Sequence, residues 1–156
     1  NKELLDDLLQ LKENFFQLIA FSNGPRKYVV RVLKELGLWE TVFTADCLFA
    51  VDDVLPYCKP EPEAFGQIFK AIHVHAHECI MVEDSMKNVR QAKQLGMKTV
   101  LVLGSGDTNP TSEAALATKP GDAPEANNLA VDIAITRIED MRTALPGLWH
   151  DPPVFT

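Results

Sequence analysis

The sequence predicts an α/β fold, in which a mostly parallel sheet is covered by helices on both faces. Short apolar runs of strand length alternate with longer segments in which apolar residues recur every three or four positions, as on one face of a helix. Strands that alternate with helices in this way are typical of parallel sheets. The chain has 156 residues, of which 46% are hydrophobic, so residues 1–156 are predicted to form a single domain with a sizeable core.

The predicted elements follow one another in a regular order. Leucines at helical spacing indicate the first helix, and the second lies between Pro25, which suits a first helical turn, and Gly37, which suits a C-terminal cap. Residues 104–128 are rich in Gly, Ser, Thr, Asn and Pro without periodicity, and are predicted to form a long flexible loop. The predicted helices are residues 4–11, 25–36, 63–72, 89–95 and 138–145, and the predicted strands are residues 16–21, 42–45, 79–82, 99–103 and 131–135.

The most informative stretch is an apolar run at residues 80–82 that ends at two adjacent carboxylates, Glu83 and Asp84. Open α/β sheets bind ligands at the carboxyl ends of their strands. Adjacent carboxylates repel each other when a fold crowds them, so a counter-charge such as Mg²⁺ is expected beside them. The pair is predicted to be half of a magnesium site. The alternative is that Asp84 or Ser85 caps the next helix and Glu83 lies in solvent.

Two further segments carry polar groups at the start of predicted helices. Ser22 and the N–H groups of Asn23 and Gly24 lie where a strand meets a helix N-terminus, a position suited to a phosphate oxygen. A plain capping turn is the alternative. Lys59 precedes two prolines that fix the backbone before a helix, so the position of this positive charge is predicted to be fixed as well. The alternative is an ordinary solvated lysine.

The order of these elements, a hydroxyl turn, a lysine and an acidic strand end, resembles the haloacid dehalogenase-like (HAD) superfamily of phosphohydrolases over about residues 11–102. Residues 29–38, 88–100 and 138–149 look similar to its pyrimidine 5′-nucleotidase-like branch. The resemblance implies that Glu83 and Asp84 hold Mg²⁺, that Ser22 and Lys59 are catalytic, that Ser22, Asn23, Gly24 and Lys59 bind phosphate, and that Asn88 supports the acidic strand end.

The chain departs from this family at one point. Family members begin with an Asp-x-Asp motif on a central first strand, whose first Asp is the nucleophile, and no Asp-x-Asp occurs in this sequence. The pairs Asp6-Asp7 and Asp52-Asp53 lack a preceding apolar strand and are interpreted as solvated acids. The family's cap insertion is absent as well. The expectation is that an N-terminal segment of the same protein supplies the central strand and the nucleophile, and that these residues alone are inactive.

The resulting prediction is a Mg²⁺-dependent phosphohydrolase that acts on a small phosphorylated metabolite, such as a nucleoside 5′-monophosphate, through an aspartyl-phosphate intermediate. The alternative is a non-catalytic HAD-like module that binds a phosphate ligand or a protein partner, which the lack of a nucleophile favours. A dehalogenase of the same superfamily is a second enzymatic alternative. It needs no metal, so the acidic pair weighs against it.

Charge and composition exclude several other classes. The net charge of −7 disfavours nucleic-acid and membrane partners. The apolar stretches are too short to cross a membrane, and the first residues lack the apolar core of a signal peptide. Cys47, Cys58 and Cys79 are widely spaced, which suits reduced thiols. Together these observations predict a cytoplasmic protein.

The alternating histidines His73, His75 and His77 could share one side of an extended segment and hold a transition metal. We favour the alternative of a solvated turn, because the segment joins a predicted helix to a predicted strand.

Overall fold

The computed structural model describes residues 1–14, 16–104 and 122–150. The greater part of the predicted loop, residues 105–121, lies outside the described residues. Contacts between residues divide the chain into two compact units, which are described separately below. The first unit consists of Asn1–Lys59 with Met141–Thr156, and the second unit is Pro60–Asp140. The single domain of the sequence analysis stays a prediction.

The described elements alternate between helices and short strands. In the first unit they are α1 (Lys2–Glu13), β1 (Ala20–Phe21), α2 (Arg26–Glu35), β2 (Leu48–Phe49) and α3 (Val51–Val54), followed in the second unit by α4 (Pro62–Ile72), β3 (Ile80–Glu83), α5 (Met86–Gln94), β4 (Lys98–Val102) and β5 (Ile133–Ile135), and again in the first unit by α6 (Met141–Ala144). Turns of 3₁₀-helix occur at Ala45–Cys47, Ala76–Glu78, Ile138–Asp140 and Pro146–Leu148.

The sheets of both units are parallel, which confirms the predicted α/β fold. In the first unit β1 pairs with β2, with Ala20 opposite Leu48. In the second unit the strand order is β3-β4-β5, with β4 in the middle. The central position of β4 explains why Val100 and Leu101 have no exposed surface.

Each unit has its own apolar cluster beneath a helix. In the first unit, α2 places Val29 and Leu33 against Leu48 of β2, and Gly37 follows the helix with a φ of +71°. In the second unit, α5 places Met86 and Val89 against Leu101 of β4. The helical spacing of these residues therefore reflects burial of one helix face against a strand.

In the first unit, α1 is bound to the segment that follows residue 140. Asp7 accepts a hydrogen bond of 2.7 Å from the Arg142 guanidinium, and its backbone carbonyl accepts one of 3.0 Å from the Trp149 indole. Asn14 donates its amide to the Leu148 carbonyl at 3.0 Å. Asp7 is only 8% exposed, so its interpretation as a solvated acid is wrong. A basic partner more than 130 residues away makes its burial tolerable.

The second acidic pair, Asp52 and Asp53, is exposed as predicted, and it also binds donors of the chain. The Asp52 carboxylate accepts the Arg26 N–H at 2.5 Å and so caps α2. Asp53 accepts the Ala50 N–H at 2.8 Å and the Arg26 guanidinium at 2.7 Å. Both acids bind donors at helix N-termini, where negative charge is favourable.

Three predicted elements differ from the structure. Of the strand predicted at residues 16–21, only Ala20–Phe21 is a strand. The predicted strand at residues 42–45 is wrong: Trp39 and Phe43 form an isolated bridge, Ala45–Cys47 is a 3₁₀ turn, and the strand begins at Leu48. Arg26 explains the shift, because its guanidinium binds the carbonyls of Ala45 and Leu48 at 2.6 and 3.1 Å and holds the turn in place. The predicted helix at residues 138–145 is a 3₁₀ turn followed by α6.

Asp132 connects the end of the second unit to its sheet. It immediately precedes β5 and accepts the Thr99 N–H at 2.9 Å and the Lys93 ammonium at 2.6 Å. The hydrogen bond from Lys93 holds the pKa of this carboxyl below its ordinary value, against the opposing effect of burial. Asp132 thus ties α5, β4 and β5 together.

Across the described parts of the chain, no helix combines the length and the apolar character needed to cross a membrane.

Candidate phosphate and acidic sites

The turn after β1 is closed by its own serine. The Ser22 N–H continues the pairing with β2 by donating to the Phe49 carbonyl at 3.0 Å, and the Ser22 hydroxyl oxygen accepts the Gly24 N–H at 3.0 Å. A Cβ atom at Gly24 would lie 3.3 Å from that hydroxyl oxygen, so glycine suits this narrow turn. This bond uses a lone pair of the hydroxyl oxygen and not its proton, so the hydroxyl keeps a proton that it can donate to another acceptor.

Lys59 is a buried cation at the carboxyl end of β1. Its side-chain ammonium donates to the Phe21 carbonyl at 2.9 Å and lies 4.8 Å from the centre of the Phe21 ring. The residue is 8% exposed, which rules out the alternative of a solvated lysine. The ammonium is hydrogen-bonded to the carbonyl of the residue that precedes Ser22, so the positive charge lies at the end of the strand that Ser22 follows.

Asn23 makes a contact that the sequence analysis missed. Its side-chain amide donates to the Lys59 carbonyl at 2.9 Å, and its side-chain oxygen accepts the Lys59 N–H at 2.9 Å. The sequence offered no periodic signal for this pair, because the partners are 36 residues apart. Its only cue was an asparagine between a strand end and a Gly-Pro turn.

At the acidic strand end, Glu83 folds back onto its own turn. One carboxylate oxygen accepts the N–H groups of Asp84 and Ser85 at 3.1 and 3.3 Å, and the other accepts the Asn88 side-chain amide at 3.1 Å. Asn88 is 8% exposed, whereas Asp84 is an exposed residue. Asn88 therefore contacts Glu83, which is oriented by three donors, and the supporting role of Asn88 stays a prediction.

The helix after this strand end is capped from a distant part of the chain. Ser85 occupies the N-cap position of α5 but its side chain makes no capping bond. Asp122 supplies one instead, accepting the Lys87 N–H at 3.0 Å and the Ser85 hydroxyl at 2.7 Å. Burial acts to raise the pKa of Asp122, but the Ser85 hydroxyl, the Lys87 N–H and nearby positive charges outweigh it and lower that pKa. Ser85 thus occupies the cap position, as the alternative interpretation has it, but Asp122 and not Asp84 or Ser85 supplies the capping side chain.

The structure thus forms two groups from the predicted site residues. The first unit brings together Ser22, Asn23, Gly24 and Lys59, and the second unit brings together Glu83, Asp84 and Asn88. Glu83 and Asp84 offer the hard oxygen donors that Mg²⁺ prefers, although two carboxylates are fewer ligands than an octahedral ion takes. Within residues 1–14, 16–104 and 122–150, no cluster of three or more His, Cys, Asp or Glu side chains is arranged to hold a metal.

The histidines form the predicted turn. His73 ends α4 in the left-handed conformation with a φ of 57°, and His75 and His77 stack with ring centres 5.6 Å apart. The segment is therefore a connecting turn between α4 and β3. It is not an extended strand, in which alternate side chains would lie on the same side.

A buried lysine and a hydroxyl turn at one strand end, and an acidic pair at another, are features of phosphate-handling α/β hydrolases. Residues 2–96, more than half of the chain, match the family model described as haloacid dehalogenase-like hydrolase. The chain therefore belongs to the haloacid dehalogenase-like hydrolase family.

Several known proteins are similar to this chain. The phosphoglycolate phosphatase of Colwellia psychrerythraea is 29% identical over 98 residues, which are 63% of this chain and 42% of that protein. Pyrophosphatase PpaX of Halalkalibacterium halodurans is 33% identical over 92 residues, 59% of this chain and 41% of that protein. The crystal structure of a HAD phosphatase from Thermococcus onnurineus aligns with a TM-score of 0.62 at 27% identity, covering 87% of this chain and 53% of that one.

The chain spans about two fifths of the length of these two curated relatives. Their names do not confirm the pyrimidine 5′-nucleotidase-like branch, which stays a prediction.

Proposed function

We propose that this chain carries the phosphate-binding and metal-binding parts of a phosphohydrolase that acts on a small phosphorylated metabolite. One observation carries the proposal: Lys59 is buried, and its ammonium is held against the carbonyl of Phe21, the last residue of β1, which directly precedes Ser22. A buried positive charge is costly unless it serves a partner or a ligand. An anion bound at this strand end would receive a charge-assisted bond from Lys59 and a hydroxyl bond from Ser22.

These two groups suit phosphoryl transfer in particular. Its transition state spreads negative charge over non-bridging oxygens, and catalysis rests on positioning and on cations placed against those oxygens. In the proposed role, Lys59 offsets charge on the phosphate and on the attacking carboxylate. Ser22 donates its proton to a phosphate oxygen and fixes the orientation of the group.

Glu83 and Asp84 would hold Mg²⁺, with Asp84 as the exposed member of the pair and Glu83 oriented through Asn88. A bound Mg²⁺ would supply further positive charge against the phosphate oxygens. The donor type supports this part of the proposal. The remaining ligands would come from water, from substrate and from a further carboxylate.

The nucleophile is proposed to come from an N-terminal segment of the same protein. In the family that the chain resembles, an Asp-x-Asp motif at the end of the first strand supplies the attacking carboxylate, and this sequence contains no such motif. The proposed segment would bring that aspartate for an aspartyl-phosphate intermediate.

Three substrate classes fit this proposal. The resemblance to the pyrimidine 5′-nucleotidase-like branch favours a nucleoside 5′-monophosphate, whereas the similar proteins are named for phosphoglycolate and pyrophosphate chemistry. All three offer a terminal phosphate. We also propose a cytoplasmic location, which is supported by Cys47, Cys58 and Cys79 not being joined by disulfides.

The test is phosphatase activity of the protein expressed from its complete reading frame, measured with and without Mg²⁺ on 2-phosphoglycolate, pyrophosphate and nucleoside 5′-monophosphates. Lys59→Met keeps the apolar stem and removes the charge, and it should lower kcat/KM by about 100-fold or more. Asp84→Asn should abolish the activation by Mg²⁺. Lys70→Ala, at an exposed lysine of α4, is the matched control and should leave activity unchanged.

Near wild-type turnover of both Lys59→Met and Asp84→Asn would overturn the proposal. The second candidate is a non-catalytic module that binds a phosphate ligand, which the lack of an Asp-x-Asp motif in these residues favours. Saturable binding of inorganic phosphate that is lost in Lys59→Met, with no hydrolysis of any of the three substrates, would support that candidate instead.

A further inference from the structure

The Asn23 side chain and the Lys59 backbone form a closed ring of two hydrogen bonds. The Asn23 amide donates to the Lys59 carbonyl and its oxygen accepts the Lys59 N–H, both at 2.9 Å. This is the pattern that two backbone amides make in an antiparallel sheet, here made by one side chain. A single side chain thus binds both polar groups of one backbone residue.

The backbone at Lys59 has little other regular structure to orient it. The residue lies in a turn between α3 and α4, outside any helix or strand, and Pro60 follows without an N–H to donate. A lysine side chain has four rotatable bonds, so the place its ammonium reaches depends on how firmly its own backbone is held. Asn23 supplies that anchorage.

We propose that Asn23 is a positioning residue, which fixes the backbone of Lys59 and thereby places the Lys59 ammonium at a set distance from the Ser22 hydroxyl. This rests on the proposed function of Lys59 and Ser22 as phosphate ligands. Ser22 is adjacent to Asn23 in sequence and Lys59 is bonded to its side chain, so the two ligands are joined through one residue. In this proposal, Asn23 holds the two ligands in a fixed arrangement for one phosphate.

The chemistry of the ring explains why asparagine occupies the position. The ring requires one donor and one acceptor on a planar group, which an amide provides and an ionised carboxylate does not. Asn23→Asp would keep the bond from the Lys59 N–H but would place a second oxygen against the Lys59 carbonyl. Asn23→Ala would lose both bonds. The two variants should therefore form a graded series.

The experiment measures two quantities in the protein expressed from its complete reading frame. The first is hydrogen exchange of the Lys59 amide by NMR, which reports on the ring without any need for activity. The second is kcat/KM with p-nitrophenyl phosphate for Asn23→Ala, Asn23→Asp, Lys59→Met and the double variant Asn23→Ala/Lys59→Met. Asn128→Ala is the matched control, because the Asn128 side chain also makes two hydrogen bonds, to Glu125 and Ala130.

We expect Asn23→Ala to speed exchange at the Lys59 amide by about tenfold or more and to lower kcat/KM by about 10- to 100-fold, the range that follows from a misplaced ligand. Asn23→Asp should retain slow exchange and lose less activity. The double variant should be no less active than Lys59→Met, since positioning has no effect once the ammonium is gone. Asn128→Ala should match the wild type in both measurements.

Unchanged exchange at Lys59 in Asn23→Ala would overturn the proposal, as would losses from Asn23→Ala and Lys59→Met that multiply in the double variant. If Lys59→Met alone keeps full activity, the proposed function fails. The exchange measurement then still decides whether Asn23 holds the Lys59 backbone. Should Asn23→Ala fail to fold, kcat/KM of Asn23→Asp decides: a loss relative to Asn128→Ala supports the proposal, and wild-type kcat/KM overturns it.

Discussion

Removing the Arg142 guanidinium should destabilise the first unit. Arg142→Ala takes away the charged donor of Asp7, whose side chain is 11% exposed, whereas the side chain of Arg142 is 51% exposed. Breaking a fully buried ion pair costs about 3–5 kcal/mol, because a charge is left buried without its partner. Since the guanidinium is half-exposed, solvent already screens the pair, and we expect a loss of about 2 kcal/mol. For a chain of this size that corresponds to a fall in Tm of about 4–8 °C.

The measurement is thermal and urea-induced unfolding at neutral pH, followed by circular dichroism. Arg137→Ala is the control, because the pair between Arg137 and Asp140 is 3.6 Å long with side chains 62% and 39% exposed, and its loss should change the free energy of unfolding by less than about 0.5 kcal/mol. Asp7→Leu combined with Arg142→Ala should recover much of the stability, because no charge is then left buried. Equal stability of Arg142→Ala and Arg137→Ala would refute the reasoning.

Three further outcomes are expected. Asp132→Asn should make the free energy of unfolding less dependent on pH in acid. The hydrogen bond from Lys93 lowers the pKa of Asp132 below 3.8, so the ionised Asp132 stabilises the fold above the unfolded-state pKa, and this stabilisation is lost as pH falls through the lower folded-state pKa. Urea-induced unfolding measured between neutral pH and acid will check this. Asp122→Ala should lower the free energy of unfolding by about 1 kcal/mol in urea titrations, because α5 loses its cap; an unchanged midpoint contradicts this. Asn88→Ala should raise the Mg²⁺ concentration that gives half-maximal activity by about 10-fold or more, and an unchanged requirement would remove Asn88 from the site.

Local patterns predicted the helices well. The helix predicted at residues 25–36 is observed at Arg26–Glu35, and that at residues 63–72 at Pro62–Ile72. Both have an apolar face of helical spacing and a proline near the start, signals that lie within the element itself. The same holds for the polar strand ends, because Ser22 and Glu83 each follow or end an apolar run.

Contacts between distant parts of the chain could not be predicted. The position of β2 depends on the Arg26 guanidinium, which binds carbonyls about twenty residues away. Asp122 caps α5 from 35 residues away, and the ring formed by Asn23 joins residues 36 apart. A period in the sequence reports which face of an element is buried, whereas these contacts depend on which side chain meets which backbone group after folding.

The contact between α1 and Trp149 has a consequence for synthesis of the protein on the ribosome. The indole donates to the Asp7 carbonyl across 142 positions of sequence, so the first unit cannot be completed until nearly the whole described chain has left the exit tunnel. The second unit is continuous from Pro60 to Asp140 and can form while synthesis is still under way. We therefore expect vectorial folding. A nascent chain from which residue 140 has left the exit tunnel, but residue 149 has not, should protect β3, β4 and β5 from proteolysis, while α1 still lacks its contact with Trp149.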